Sequence, residues 1–505
     1  MDAYAAERHC DASAVFQIVD LTASSDMTPT ASGSASLSQI AQVKNGVVNQ
    51  TYKLATLEKD YLKLDGSAVF VDSGESHESG WWSSAISDDS GVIDATLTLT
   101  FGSAHSAYGL TIYFDDKAKE VVSDYTITAY NSSGTAVATK TVTGNASVIS
   151  GTVLGMTNFT KIVVHFTKTA KPHRRVRVTE VVCGIVEYFD RNSISSLKMI
   201  REISGDSSAL PISEVQLTFD NSNQRYNMAN PAGAFAYLKT GLPLTVKLGC
   251  GASDDTIEMA DMGTFYYNTS NSDDDALTAT ITAQDVIQYM EKVPYTVPSG
   301  TTTTLAAMTT QINASLGMTL TWSLDSSVSA TSLTNYATDS NVTCRQALQE
   351  ACQALKCVCY VNRLGVVTVK PLAVGTVKEI LNKDKLVTVP KITTEEHINK
   401  VVASNGDTIS GTYTDKGSSE VLQEKDVSNS LLTSALASGV AQWLLKVSRR
   451  YKYTMTGRGN PERDLADTVT VVDAFGTNHT AMVTKHTIEY DGGISEEIEA
   501  VSEEA

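Results

Sequence analysis

Residues 219–249 read FDNSNQRYNMANPAGAFAYLKTGLPLTVKLG. Alternating apolar and polar residues predict one strand that ends at Phe219 and a second strand that begins near Leu244. The bend between them is dense in Asn, Gly and Pro, which supply turn geometry. It also carries the rings of Tyr226 and Tyr237. Turn geometry does not require rings, so we expect them to tie the bend to the body of the protein or to a neighbouring subunit.

The composition predicts a globular, β-rich protein with several domains. The chain has 505 residues, which corresponds to about three or four domains. Apolar residues make up 42% and charged residues 19%, a globular rather than a disordered composition. β-branched residues recur in short alternating runs, which favours strands.

The apolar runs and the N-terminus bear on localisation. No apolar run approaches the ~20 residues that cross a bilayer. The first residues, MDAYAAERHCDASAVF, lack the basic start and the apolar region of a signal peptide. We therefore expect synthesis in a cytoplasm and no secretion by the general route.

The formal charge of −18 predicts a surface that repels nucleic acid. The basic cluster KPHRRVRV, at residues 171–178, places Arg175 and Arg177 on one face of a predicted strand. Because the rest of the chain is acidic, a solvated or interface-lining strand is favoured over a DNA site. We expect no sequence-specific nucleic acid binding.

The order of predicted elements indicates a mainly β fold with a small α+β part. Short alternating runs separated by turn residues predict a compact β-sandwich or jelly roll in the N-terminal third. The predicted domains are an N-terminal strand and linker (1–44), a β-sandwich (45–188), a first β-barrel (189–290), an α+β helix–hairpin domain (291–390) and a second β-barrel with one helix (391–505).

The α+β part is predicted from helical periodicity. Residues 343–356, TCRQALQEACQALK, begin with Thr343 at capping-box spacing from Gln346. A hairpin that turns at residues 362–365 follows directly. The two β regions each pass from a turn into an alternating strand, which hints at two related barrels, although the matching stretch is too short to count as a repeat.

Seven cysteines are spread unevenly along the chain. Cys10, Cys183 and Cys250 stand apart, and the other four lie between residues 344 and 359. A disulfide framework is not expected in a long cytosolic chain, and the spacing does not fit paired CxxC zinc knuckles. Small, buried apolar side chains are the favoured interpretation.

No strong catalytic motif is present: GxSxG, HExxH, GxxxxGK[ST] and GxGxxG are all missing. The acidic pairs Asp88-Asp89 and Asp115-Asp116, and the run Asp273–Asp275, stand in turn contexts where exposed loop acids are expected. The sequence predicts no catalytic residue, no metal, no cofactor and no enzyme activity. It does not exclude a glycosidase, whose two carboxylates need only be close in space.

The stretch GWWSS places Trp81 next to Trp82. Adjacent residues of a strand point to opposite faces, so one indole is expected in the core and the other exposed. An exposed indole could stack on a sugar, and it could equally anchor the sandwich to a neighbouring domain. The anchor is favoured.

The opening stretch resembles the tail-hub proteins of phages of Gram-positive bacteria and of related contractile particles. The resemblance lies in the order of a strand-ending Asp-Asn pair, an aromatic-Asn pair, an Asn-Pro-x-Gly turn and a Leu-x-x-Gly-x-Pro turn before the next strand. The residues that carry it are Asp220, Asn221, Tyr226, Asn227, Asn230, Pro231, Gly233, Gly241 and Pro243.

Other parts of the chain agree with this resemblance. ALQEACQALKCVCYVNRLGVVTV is similar to the helix and hairpin of the family, and residues 457–500 resemble its closing barrel. The segment from Leu54 through GWWSS to CGIVEYF is similar to galactose-binding-like sandwiches that are inserted in such hubs.

The resemblance implies a virion protein of the tail tip or baseplate, assembled in the host cytoplasm. Its expected partners are two further copies of itself (a homotrimer), the tail tube or distal tail protein, the tip or spike protein, the tape-measure protein and a host cell-wall glycan. Two similar barrels in each of three subunits would offer six near-equivalent faces to a six-fold tube. The expected roles are structural support of genome ejection and host attachment.

Three other functions stay open: a distal tail ring protein, a carbohydrate-binding adhesin and a tail-associated wall hydrolase. The helix and hairpin favour the hub over the ring. The strand FQIVDLTA, at residues 16–23, precedes the sandwich, and its sheet partners are expected after it, at residues 212–221. The sandwich is therefore predicted to be an inserted domain.

Overall fold

The computed structural model describes residues 8–44, 53–62, 65–71, 77–272, 277–296, 302–336, 341–394, 398–406 and 408–503. The strands of the N-terminal part are β1 (His9–Val19), β2 (Met27–Ala31), β3 (Lys53–Leu54), β4 (Ala68–Val69), β5 (Trp81–Trp82), β6 (Val92–Phe114), β7 (Val122–Tyr130), β8 (Ala136–Val142), β9 (Ile149–Thr169), β10 (Arg177–Val182) and β11 (Gly184–Phe189). Those of the middle part are β12 (Ile194–Glu202), β13 (Glu214–Asp220), β14 (Pro243–Gly251), β15 (Glu258–Asn271), β16 (Thr278–Gln284), β17 (Thr303–Thr304), β18 (Trp322–Leu324), β19 (Ser332–Leu333), β20 (Val358–Val361) and β21 (Val367–Lys370).

The C-terminal strands are β22 (Val377–Leu381), β23 (Lys391–Thr394), β24 (Lys400–Ser404), β25 (Ser410–Thr414), β26 (Glu424–Ser428), β27 (Tyr451–Gly457), β28 (Thr468–Val472), β29 (Asn478–Tyr490) and β30 (Ile494–Ser502). The α-helices are α1 (Ala23–Asp26), α2 (Leu305–Leu316), α3 (Cys344–Ala354) and α4 (Ser434–Ser448), and short 3-10 helices lie at Ile40–Lys44, Phe235–Tyr237, Asp254–Thr256 and Val286–Glu291. The predicted fold class, mainly β with a small α+β part, is confirmed.

The chain forms two compact units. The first unit holds the described residues of Met1–Ala14, Phe189–Asn223 and Pro243–Ala505. The second unit holds those of Val15–Tyr188 and Gln224–Leu242. The residues of the opening bend that follow Asn223 therefore belong to the second unit.

The second unit is a β-sandwich built on two long strands, β6 and β9, which pair with each other along most of their length. The β6–β9 register shifts repeatedly between Thr100 and Gly109. Bulges of this kind bend a strand and increase its twist. The N-terminal and C-terminal halves of β6 consequently contribute Leu97 and Ile112 to the same buried core.

The first unit contains two four-stranded antiparallel modules with the same strand order. In the N-terminal module, β14 pairs β15, β15 pairs β16, and β16 pairs β13. In the C-terminal module, β28 pairs β29, β29 pairs β30, and β30 pairs β27. Strand β12 joins the modules, because it pairs with β13 on one edge and with β29 on the other. The two modules therefore belong to one continuous sheet.

The α+β part has the predicted helix and hairpin. The N-cap Thr343 accepts a hydrogen bond from the Gln346 backbone N–H at 3.2 Å, so α3 begins where the capping signal predicts. Strands β20 and β21 pair antiparallel around a turn in which Asn362 accepts hydrogen bonds from two backbone N–H groups. Helices α2, α3 and α4 share one hydrophobic core.

The expected pairing of residues 16–23 with residues 212–221 is wrong. Both edges of β13 are already occupied, by β12 and by β16, so no edge remains for another strand. Strand β1 instead lies beside β11. Strand β2, which was expected to be linker, pairs with β6, so the sheet of the sandwich takes in residues N-terminal of position 45.

Candidate functional site

The bend begins with two residues that close β13. The Asp220 carboxylate accepts hydrogen bonds from the Ser222 backbone N–H and hydroxyl, both at 3.1 Å. Asn221 is fully buried, and its backbone N–H donates to the Leu277 carbonyl at 2.6 Å. This pair ends the strand and fixes the direction in which the chain leaves the sheet.

Two asparagines then build consecutive turns. The Asn227 side-chain oxygen accepts from the Ala229 N–H at 2.8 Å, and the Asn230 oxygen accepts from the Ala232 N–H at 3.0 Å. Pro231, between the latter two, supplies a fixed φ and has no N–H to satisfy. Asn suits these positions because its short amide closes a turn onto its own backbone.

Two glycines and a proline complete the bend. A Cβ on Gly233 would lie 2.6 Å from the Arg225 carbonyl oxygen, so only glycine fits there. Gly241 has φ of 96°, a conformation that L side chains rarely adopt. Pro243 begins β14 opposite Tyr266. The predicted motif residues are thus turn and strand-end residues.

The rings of the bend pack on the sandwich, within the second unit. The Tyr237 and Tyr108 ring centroids are 5.3 Å apart, and the Arg225 guanidinium lies 5.6 Å from the Tyr108 centroid. Arg225 also forms an ion pair with Glu187. Burial raises the pKa of the Tyr226 hydroxyl well above its usual value. These contacts answer the question that the rings raise in the sequence.

The C-terminal module has a second bend with the same local chemistry. The Asn460 side-chain oxygen accepts from the Glu462 N–H at 3.0 Å, and the Asn460 carbonyl accepts from the Arg463 N–H at 3.1 Å. Ala466 has φ of 60° and stands two residues before β28, just as Gly241 stands two residues before β14. The two bends therefore share an Asn-Pro turn and a positive φ before the next strand, which extends the likeness of the modules beyond strand order.

Both indoles of GWWSS are buried, with exposed fractions of 0% for Trp81 and 1% for Trp82. Trp81 packs on Phe166 at 5.9 Å between centroids, and Trp82 lies under the Arg177 guanidinium at 3.9 Å. The two rings face opposite sides of β5 as expected, but both sides are covered. The expectation of one exposed indole is therefore wrong, and neither of these two rings is available for a sugar to stack on; the favoured role, an anchor to a neighbouring domain, stays a prediction.

A buried ion cluster lies behind Trp82. Arg177 forms ion pairs with Glu58 and, at 3.1 Å, with Asp115, and it donates to the Tyr61 hydroxyl at 2.8 Å. Burial alone would lower the pKa of Arg177, but the facing carboxylates raise it, so the guanidinium stays charged. Arg177 was expected on a solvated or interface-lining face, and Asp115 was expected to be an exposed loop acid. Both expectations are wrong, because the two side chains are buried and form an ion pair with each other.

A second ion cluster of the sandwich is centred on His105. Its Nδ1 lies 3.0 Å from Asp20 and its Nε2 lies 2.9 Å from Asp26. Burial alone would lower the pKa of His105, but the hydrogen bonds to Asp26 and Asp20 raise it. Both ring nitrogens can donate only in the imidazolium form, so the geometry favours a charged ring.

The C-terminal module also buries an arginine between two acids. Arg463 forms ion pairs with Glu496 and, at 2.7 Å, with Glu379. The His486 Nε2 lies 2.9 Å from Glu496, and burial lowers the pKa of His486. The His486 ring therefore stays neutral and donates its single N–H to the carboxylate.

Among the described residues, no group of three or more His, Cys, Asp and Glu side chains could hold a metal ion. Within the same residues, no helix is both long enough and apolar enough to cross a membrane. The Asp88 carboxylate closes a turn, accepting from the Ser90 and Val92 N–H groups at 2.8 Å. The Asp273–Asp275 run lies outside the described residues.

Sequence reasoning missed three features: the acids that neutralise Arg177, the ion cluster centred on His105 and the second bend. The acids stand 119 and 62 residues from Arg177, so no local pattern marks them. The second bend did leave a signal. Asn460-Pro461 repeats the Asn230-Pro231 dipeptide in the bend before an alternating strand.

No protein-family model matches the chain, and no curated protein matches its sequence. Among solved structures, the chain is similar to a 43 kDa tail protein of prophage MuSo2 from Shewanella oneidensis, with 16% identity over 63% of this chain and 95% of that one, at a TM-score of 0.44. It is similar to a tail protein from Neisseria meningitidis MC58, with 13% identity over 63% of this chain and 94% of that one, at a TM-score of 0.47.

A smaller part of the chain is similar to a family 32 carbohydrate-binding module of NanJ from C. perfringens, solved with galactose. The identity is 15% over 34% of this chain and 99% of that one, at a TM-score of 0.22. These likenesses assign no role to any residue of this chain.

Proposed function

We propose that the chain is the structural hub of a phage or phage-like tail tip, a homotrimer that joins a six-fold tail tube to a three-fold tip. The observation that carries this proposal is the repeated module. Strands β13–β16 and β27–β30 have one pairing order, and their bends share an Asn-Pro turn and a positive φ two residues before the next strand.

Symmetry supplies the physical argument. A subunit with one module would present three equivalent faces per trimer, whereas a subunit with two equivalent modules presents six. Closed rings are built from repeated, equivalent contacts. Six near-equivalent faces suit a six-fold tube, while the trimer itself suits a three-fold tip or spike. The tube or distal tail protein, the tip protein and the tape-measure protein are the proposed partners.

An exposed apolar groove in the first unit supports assembly. The groove has a volume of about 560 Å³ and is bordered by residues 382–390 and 472–476. Its side chains Val387 and Val389 are 71% and 65% exposed, and Phe475 beside it is 93% exposed. Apolar side chains that project together from a surface favour a protein interface. We assign this groove to the contact between subunits of the trimer.

The sandwich is proposed to contact a host-surface glycan or a neighbouring tail protein. Because Trp81 and Trp82 are buried, such a contact would use other side chains of the sandwich. The proposed structural role includes no hydrolytic activity. Purified protein should therefore release neither reducing ends nor free amines from Gram-positive cell walls.

Light scattering and native mass spectrometry test the proposal on the full chain, alone and with its neighbouring tail proteins. We expect trimers, and a Val387→Asp/Val389→Asp variant should weaken association by about tenfold or more, because it places charge in an apolar contact. Leu364→Asp is the matched control, since Leu364 is 66% exposed in a hairpin turn.

A strict monomer in both settings contradicts the proposal. A hexamer contradicts it as well and favours the distal tail ring. If the double variant and the control associate equally, the groove is not part of the subunit interface, although the proposal of a trimer still holds.

A further inference from the structure

Two cysteines that are far apart in sequence meet in the first unit. Cys10 is near the start of β1 and Cys250 is near the end of β14. Their sulfur atoms are 3.8 Å apart, and the Arg8 guanidinium donates to the Cys250 sulfur at 2.8 Å. Cys10 is partly exposed and Cys250 is buried. Cys10 is therefore the more accessible residue of the pair.

The surroundings polarise this pair. The hydrogen bond from Cys250 lowers the pKa of Cys10 to about 6, burial opposes this, and the charge of Arg8 and the Ile494 backbone add to the lowering. Donation to Cys10, together with burial, raises the pKa of Cys250. The pKa of Cys10 therefore lies below that of Cys250, so Cys10 is the first of the two thiols to ionise.

We propose that Cys10 and Cys250 form a redox-reactive dithiol, in which Cys10 attacks low-molecular-weight disulfides and Cys250 resolves the product. A partly exposed thiol beside a second, buried thiol and an arginine is the arrangement of redox-sensitive cysteine pairs. This inference is independent of the proposed tail function, because it rests on the side chains alone.

The reaction balances in two exchanges. The Cys10 thiolate attacks one sulfur of the small disulfide, forms a mixed disulfide and expels one thiolate. The Cys250 thiol passes its proton to that expelled thiolate and then attacks the Cys10 sulfur, expelling the second half of the oxidant. The two cysteines are oxidised to one disulfide, and the small disulfide is reduced to one thiol and one thiolate, which takes a proton from water.

The other five cysteines are all buried, including Cys352 and Cys359, which neighbour each other. Cys183 and Cys357 are buried, and burial raises the pKa of each thiol. Neither is expected to react in the folded protein. The disulfide would link positions 240 residues apart and would tie the start of β1 to β14.

Alkylation by iodoacetamide at about pH 6, read by mass spectrometry for each cysteine, tests the nucleophile. Compared with an ordinary thiol of pKa about 8.5, the thiolate fraction of Cys10 is roughly 150-fold higher, and its lower intrinsic nucleophilicity takes back roughly 10- to 18-fold. We therefore expect Cys10 to react about tenfold faster than a solvent-exposed model thiol. A rate equal to that of the model thiol overturns the proposal.

Oxidised glutathione, added to the wild-type full chain, tests the resolving step. Peptide mapping without reductant should find Cys10 joined to Cys250, with Cys183 still alkylatable after unfolding. Cys250→Ser should instead accumulate the mixed disulfide at Cys10, and Cys10→Ser should take up no glutathione. Cys183→Ser is the control and should behave as wild type. Absence of the Cys10–Cys250 peptide from the wild type overturns the proposal, whatever the variants do.

Discussion

The sandwich and the C-terminal module each bury one arginine between two carboxylates and one histidine beside a carboxylate, yet the pKa values of the two histidines are shifted in opposite directions. His105 faces Asp20 and Asp26, one at each ring nitrogen, and their hydrogen bonds outweigh burial. His486 faces a single acid, Glu496, which already pairs with Arg463. The direction of the pKa shift therefore depends on the carboxylates that face a ring and on the arginines near it as well as on burial.

The comparison also separates two ways of neutralising a buried arginine. In the sandwich, Arg177 lies on the face of Trp82 at 3.9 Å and meets acids from two distant segments. In the C-terminal module, Arg463 belongs to a bend and meets Glu379 and Glu496 of the surrounding strands. Arg177 connects the segment around Glu58 to β10. Arg463 connects its bend to the strands that carry Glu379 and Glu496.

The largest effect is expected from removing an arginine. Arg177→Met should lower the free energy of unfolding of the sandwich by about 3–5 kcal/mol, because it leaves two buried carboxylates without a cation. Adding Glu58→Gln and Asp115→Asn to this variant should restore most of the loss. The free energy of unfolding of the sandwich is measured by denaturant unfolding, with fluorine labels on Trp81 and Trp82 as the probes. A loss below about 1 kcal/mol would show that the cluster is solvated.

The second prediction sets the two histidines against each other. The folded pKa of His105 lies above its unfolded value of about 6.5, so its contribution to stability is full below that pH and is lost as the pH rises through the folded pKa. The folded pKa of His486 lies below its unfolded value, so its contribution is full above about pH 6.5 and is lost as the pH falls.

Acidification should therefore strengthen the sandwich and weaken the C-terminal module. Hydrogen exchange of peptides from each unit, measured in wild type and in His105→Gln and His486→Gln, isolates each histidine by difference. The prediction is wrong if the pH dependence of stability that is due to His105 and the pH dependence that is due to His486 have the same sign. Slopes unaffected by the substitutions would assign the pH dependence to other groups.

The smallest effect concerns the two bends. Gly241→Ala should lower the free energy of unfolding by about 1–2 kcal/mol, because a side chain at φ of 96° is strained. Ala466→Gly, at φ of 60°, should change it by less than about 1 kcal/mol, because relief of strain offsets greater freedom of the unfolded chain. Calorimetry of the two variants provides the measurement. If the two variants lose the same free energy of unfolding, the two positions are not equivalent.

Local patterns in the sequence determined the elements and the turn chemistry. Alternation predicted β13 and β14, and the Thr343 cap predicted the start of α3. The Asn, Gly and Pro residues of the opening bend have the turn roles that their side chains and backbones dictate. These features depend on neighbours within a few residues, which the sequence displays directly.

Tertiary structure alone decided which elements meet. It gave both edges of β13 to other strands, covered both tryptophans, placed Glu58 and Asp115 on Arg177, and repeated one strand order in two modules. Each of these depends on contacts between residues that are tens to hundreds of positions apart. Such contacts form because many apolar side chains are buried together, and no single stretch of sequence records that collective choice.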